Sequence, residues 1–365
     1  MNAGEYVAHA RQAILDLLDE KLAVVPGPEL EAWLSDRPYT PPTGRPLRDG
    51  FNPHHLTTAK NQLLHEGLIL AVSGKTRGGR TITVLVPAIQ TERTTDILRS
   101  AARKRLLHTR YISWTRATDK LPNMIGEGGE RTARASLAAA AFVGYRLLHP
   151  ATAEATTLFG SAVPGGPLDA AAQIVVDDPN ALPVPITVLI EVKNIRDWIY
   201  PDAAELYQLL DKAARLQLAH PAQRLLPVLI CRRAQYLTRL MAADLGFFVI
   251  TTTSQAILPH SEVDEKAVEE VNQELNYNLL RSSEPHPFLV SQFTATIPRE
   301  AFRVATRWAQ TAPHLARHFG PLRDSGLGRI QRHAALDALH RSAIAIQGVK
   351  GHWRSDTDNE SVLPL

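Results

Sequence analysis

One cysteine, Cys231, occurs in 365 residues, so no intrachain disulfide can form. Its setting, LPVLIC, reads as a small buried hydrophobe rather than a reactive thiol. No run of eighteen or more apolar residues is present, and the N-terminus is amphipathic without the basic-then-apolar order of a signal peptide. Membrane insertion and export find no support, and a cytoplasmic protein is expected. The sequence also lacks a GxGxxG phosphate fingerprint, a nucleophile elbow, a repeat and any zinc-ligand spacing among its fourteen histidines, His54–His55 included. Neither sign of charge dominates: 40 Lys and Arg against 37 Asp and Glu leave +3, too little by itself to announce a polyanionic partner.

What is present is uneven. Between Lys75 and Arg116 stand ten cations (Lys75, Arg77, Arg80, Arg93, Arg99, Arg103, Lys104, Arg105, Arg110, Arg116) against Glu92 and Asp96. Such a concentration suits a phosphate-binding stripe, or else a solvated helix face. The length predicts two or three domains. Helical spacing of Val7, Ile14, Leu17 and Leu18 predicts a first helix over 5–20, and ELEAWL a second at 29–34. A third begins near Asn52 and Pro53, a cap followed by a first-turn proline, and runs towards Gly67. LILAVS and TITVLV then read as two strands joined by GKTRGGR.

Three helices and a hairpin with a basic tip resemble a winged helix-turn-helix over about residues 5–88. The resemblance implies DNA contact through Lys60 and Asn61 on the third helix and through Lys75, Arg77 and Arg80 on the wing, with Arg103, Lys104 and Arg105 following on a basic connecting helix. Winged helices also serve as protein-interaction modules. Tyr111 and Trp114 end the connecting helix, where packing is favoured over stacking on bases.

The central third carries the chemistry. An Ala-rich helix is expected over 130–148, strands near 156–163, 169–176 and 186–193, a helix over 202–218, a buried strand at LPVLICR, a helix over 235–245 and a strand at FFVIT. Alternation along a strand puts Glu191 and Lys193 on one face, and Asp169 stands 22 residues before Glu191 across a Pro-rich turn. Pro167, Leu168 and Asp169 with Glu191, Val192 and Lys193 spell Pro-x-Asp and Glu-x-Lys. In motif and element order, residues 130–251 resemble the PD-(D/E)XK, or restriction-endonuclease-like, phosphodiesterases, which include Holliday-junction resolvases.

That resemblance implies an α/β restriction-endonuclease-like core with a mixed central sheet flanked by helices. Asp169, Glu191 and the Val192 carbonyl would hold Mg²⁺, with Mn²⁺ able to substitute, and Lys193 would orient the attacking water. Glu130 matches a glutamate that many members carry on the first core helix; the alternative is a charge complementing the helix N-terminus. Gln208 matches a site glutamine of some relatives and is otherwise a surface residue. Where those relatives have a tyrosine four residues later this chain has Lys212, which argues against a processive exonuclease. Asp177 and Asp178 belong to an Asp-Asp-Pro-Asn turn and rank below Asp169. Arg196 is a candidate phosphate contact.

The expected division is therefore 1–90 winged helix-turn-helix-like, 91–128 basic connecting helix and linker, 129–255 nuclease core and 256–365 a helical C-terminal region. The expected activity is metal-dependent DNA endonuclease, in restriction, defence or repair. A core that no longer cuts, or a subunit docking a larger assembly through its C-terminal helices, remains the alternative. Partners would be DNA and a second copy of the chain, with no membrane.

Overall fold

Residues 3–40, 50–76, 79–88, 92–117, 123–178, 182–281 and 285–354 are described in the computed structural model. The chain's described residues divide into two compact units: those up to 124 with 259–279, and 125–258 with 280–354.

The first unit opens with α1 (Ala3–Lys21), α2 (Pro28–Leu34) and α3 (Pro53–His65). Ala10, Ile14, Leu17 and Leu18 share one face of α1 and are buried with Leu30, Leu56 and Leu63, the spacing of a helix covering a core. Asn52 caps α3, its side chain accepting the His54 N–H at 3.0 Å, and Pro53 takes the first turn, where no partner for an N–H is missed. The hairpin is β1 (Ile69–Lys75) antiparallel to β2 (Thr81–Pro87), with Lys75 opposite Thr81. α4 (Thr94–Trp114) turns a stripe of Ile97, Ala101, Lys104, Leu107, Tyr111 and Trp114 inward. Tyr111 meets Tyr277 edge-on at 4.8 Å, so this aromatic is spent on packing.

The second unit begins with α5 (Met124–Ala139), which starts inside the segment expected to be linker. It also ends earlier than the Ala-rich composition suggests: after one 3-10 turn Gly144 adopts φ +101°, and the chain leaves as β3 (Arg146–Leu147). A left-handed glycine is a common way to stop a helix regardless of the propensity before it. β4 (Thr157–Leu158) and β5 (Ser161–Ala162) form only a small hairpin where one strand was expected. Then come β6 (Ala170–Val176), β7 (Val184–Lys193), α6 (Ala204–Ala219), β8 (Arg224–Cys231), α7 (Tyr236–Leu245) and β9 (Phe248–Thr251). The central sheet has the order β3-β6-β7-β8-β9, antiparallel across β3, β6 and β7 and parallel across β7, β8 and β9. The architecture is mixed α/β with a mixed central sheet.

The region after residue 256 does not stand apart. The acidic helix α8 (Glu262–Leu275) belongs to the first unit, where Glu270 reaches Arg103 (3.4 Å) and Arg110 (3.3 Å) on α4. α9 (Pro287–Ser291) passes through one wide π turn into α10 (Ile297–Leu322), and α11 (Arg329–Ile344) follows. Ile297, Ala301 and Val304 of α10 join the apolar cluster of Ile190 and Val228, whereas Trp308, Ala312, Leu315 and Phe319 join that of Leu189 and Leu229. A separate helical C-terminal region was expected; the apolar face of α10 is instead part of the sheet unit's core. Among the described residues no helix is long and apolar enough to cross a membrane.

Candidate active site

Alternation along β7 decides what gathers at its C-terminal end. Ile186, Val188, Ile190 and Val192 belong to the cluster that includes Leu137 of α5. Leu189, Glu191 and Lys193 therefore form the opposite row, against α6. The β6 register pairs Ala170 with Ile190, so Asp169, one residue earlier, stands across from Glu191. On α6, Gln208 and Lys212 lie four apart and share the stripe that meets this row.

Lys193 Nζ donates to Glu191 Oε1 (2.9 Å) and to Gln208 Oε1 (2.7 Å). Asp169 Oδ2 accepts the Val192 N–H at 2.5 Å. Asp169 and Glu191 are buried, at 8% and 4% exposure. Four residues picked out in the sequence, Asp169, Glu191, Lys193 and Gln208, are thus brought together, and Gln208 is a hydrogen-bonding partner rather than a bare surface residue. Asp177 and Asp178 follow the far end of β6, which closes at Val176.

Glu130 is in the second turn of α5, not at its start; Glu127 occupies the first turn and pairs with Arg131 at 2.8 Å. The dipole explanation of Glu130 loses its basis, since that effect fades beyond the first turn. Oxygens of Glu130, Glu154 and Asp169 all lie within 4.8 Å of one another. Glu154 was not foreseen: a bridge between Ala155 and Leu168 carries it alongside Asp169, and no local periodicity announces that pairing. Arg134, one turn after Glu130, donates to the Asp169 carbonyl at 3.1 Å and lies 3.6 Å from Glu130 Oε2. Burial and then the facing Glu191 push the Asp169 carboxyl up to about 7, while the Val192 N–H pulls it down. Burial raises Glu130 as well. Crowded carboxylates that resist ionisation together are relieved by a hard cation, and lysine and arginine already supply part of that relief.

No family model, curated protein or solved structure matches this chain.

Lys212 is the second unforeseen member. Its Nζ donates to Glu191 Oε2 (2.9 Å) and to the Pro167 carbonyl (2.5 Å). The sequence held a signal, a lysine in the middle of a helix otherwise rich in leucine and alanine, which as a bare departure from a motif pointed nowhere. On the other face of β7 a cavity of about 270 Å³ is lined by Val192, Ile230, Cys231 and His286, among others. Asn194, also in its wall, is committed to structure: its amide donates to the Ile125 and Ala256 carbonyls, both at 2.6 Å.

The candidate DNA contacts separate into groups. Asn61 and Lys75 are exposed and Lys60 and Arg80 half-buried, whereas Arg77 lies outside the described residues. Arg103 is paired with Glu270, and Arg105 lies over Gly74 of β1. Two expectations are corrected. Lys104 is buried at 2% exposure, paired with Glu29 and bonded to the Glu274 carbonyl, because it occupies an inward position of the α4 stripe. Arg196 is 5% exposed, so its side chain is not open to a phosphate, and its carbonyl receives Arg232 Nε at 3.0 Å. Arg93 and Arg99 are also paired, with Asp19 (2.6 Å) and Asp96 (3.0 Å), which lowers the field of the basic stripe.

Proposed function

We propose that this chain is a metal-dependent phosphodiesterase acting on DNA, with a restriction-endonuclease-like core in its second unit. The observation that carries the reading is the meeting of Asp169, Glu191, Lys193 and Gln208 at one end of a mixed sheet, with Glu130 and Glu154 beside Asp169. The order α5, antiparallel β6 and β7, α6 and parallel β8 supports the same core. Asp169, Glu130 and Glu154, with Glu191 and the Val192 carbonyl, are the oxygen donors that suit Mg²⁺ or Mn²⁺. A bound ion would polarise the scissile phosphate and lower the pKa of a coordinated water. Lys193, held by Glu191 and Gln208, orients the water and offsets charge developing on the phosphate. Exposed Asn61 and Lys75, with Lys60 and Arg80, are the candidate DNA-positioning residues of the winged-helix-like unit. Restriction, defence and repair all accommodate such an enzyme, and a homodimer would suit cleavage of both strands.

The test is cleavage of duplex, single-stranded and branched DNA, and of RNA, with Mg²⁺ and Mn²⁺. Wild type is expected to cut at least one DNA, and Lys193→Ala to lose the activity about a hundredfold or more. Equal inactivity of the two on every substrate overturns the reading. One observation favours a second reading, a core that binds without cutting: both oxygens of Glu191 are taken by lysines. Under that reading Mn²⁺ binds wild type no better than Asp169→Asn.

A further inference from the structure

Lys212 belongs to no part of the mechanism above, yet it is the most completely enclosed cation at the site, at 5% exposure. Its ammonium holds two acceptors, Glu191 Oε2 at 2.9 Å and the Pro167 carbonyl at 2.5 Å. Pro167 lies two residues before Asp169 and Glu191 stands across from Asp169, so one cation ties both acid-bearing strand ends to α6. On the same helix, one turn earlier, Gln208 holds Lys193, whose other acceptor is the remaining oxygen of Glu191. The result is a closed chain: Pro167, Lys212, Glu191, Lys193, Gln208, and back through α6 to Lys212.

We infer that Lys212 is a positioning residue of the candidate catalytic centre, pinning Glu191 from one side so that its other oxygen holds the Lys193 ammonium at a single point. This rests on the phosphodiesterase reading. An ammonium has three N–H donors; Glu191 and Gln208 take two of Lys193's, and the third is the one left for water or phosphate. Without Lys212, the Glu191 carboxylate is free to turn, and Lys193 turns with it. Lys212 itself touches no substrate, so its effect appears in the cleavage step and not in DNA affinity.

The experiment compares wild type, Lys212→Met, Lys212→Arg, Glu191→Gln and the double variant Lys212→Met/Glu191→Gln. Single-turnover cleavage and DNA Kd are measured with Mn²⁺, and folding is checked by circular dichroism. Lys212→Met is expected to slow cleavage about ten- to a hundredfold, the size of a displacement near 1 Å, with DNA Kd within about twofold. Adding Lys212→Met to Glu191→Gln is expected to cost less than about threefold more, because residues acting as a unit are not additive. If Lys212→Met fails to fold, Lys212→Arg keeps the charge and carries the test. A guanidinium does not reproduce the point contact of an ammonium, so its cleavage is expected to fall with its melting temperature held. A wild-type rate in either folded variant, or losses that multiply in the double variant, overturns the inference. If wild type cuts nothing, the phosphodiesterase reading fails separately, and positioning is read from acetylation of Lys193 relative to Lys60. An increase of about threefold or more in Lys212→Met, where Lys193 loses its fixed acceptor, supports it; an unchanged ratio overturns it.

Discussion

Asp169 is where a proton and, under the phosphodiesterase reading, a metal ion would compete. Its carboxyl is pushed up from 3.8 to about 7 by burial and by Glu191. The folded-state value lies above the unfolded one, so the stability this group contributes is fully present below about pH 4 and is lost as pH rises to about 7. Metal binding needs the ionised form and runs the other way. Mn²⁺ affinity is therefore expected to climb between pH 5 and about 7 and then level off, with proton release in calorimetry, and Asp169→Asn to flatten that profile. His108 gives the opposite sign. Burial lowers it to about 4, and its Nδ1 meets the Tyr277 hydroxyl at 2.8 Å. Its contribution is present above about pH 6.5 and lost as pH falls towards 4, so His108→Gln is expected to reduce the acid sensitivity of thermal unfolding. Lys104 shows why a charge count misleads: Lys104→Met leaves Glu29 buried without its cation, a loss of about 3–5 kcal/mol in urea unfolding. A DNA-binding defect in that variant would report unfolding rather than a lost phosphate contact.

At the scale of elements, α10 matters most. Trp308 on α10 is fully buried, and Trp308→Ala is expected to cost about 3–5 kcal/mol by chemical denaturation. Close to it, Gly246 ends α7 with φ +89°. A Cβ there would lie 2.3 Å from the Trp308 backbone nitrogen. Gly246→Ala is accordingly expected to destabilise by more than about 2 kcal/mol, the left-handed strain of an L-residue together with a backbone clash. Strand and helix order in the central third was legible because buried strands such as LPVLIC and FVIT are short, apolar and bounded by turn residues. The early end of α5 was not, since helix propensity in its alanine run is overruled by one glycine after the final turn.

For the molecule as a whole, the boundary expected near residue 256 separates a sheet from part of its own core. A fragment of residues 129–255 lacks α10 and α11, which fill the clusters of Leu189 and Ile190. That fragment is expected to show no cooperative thermal transition by circular dichroism, whereas the full chain shows one. The candidate site was partly legible. Asp169, Glu191 and Lys193 stood in a motif whose alternation and turn are local properties, so the sequence alone could name them and the strands that carry them. Glu154, Arg134 and the role of Lys212 required the fold, because a bridge from Ala155 to Leu168 and the seating of α6 on β7 join residues that no period of two or 3.6 relates. Local periodicity determined which residues share a face; only tertiary packing decided which faces meet. For that reason Lys104 and Arg196, charged residues that read as surface groups in the sequence, lie buried, Lys104 against Glu29 and the Glu274 carbonyl.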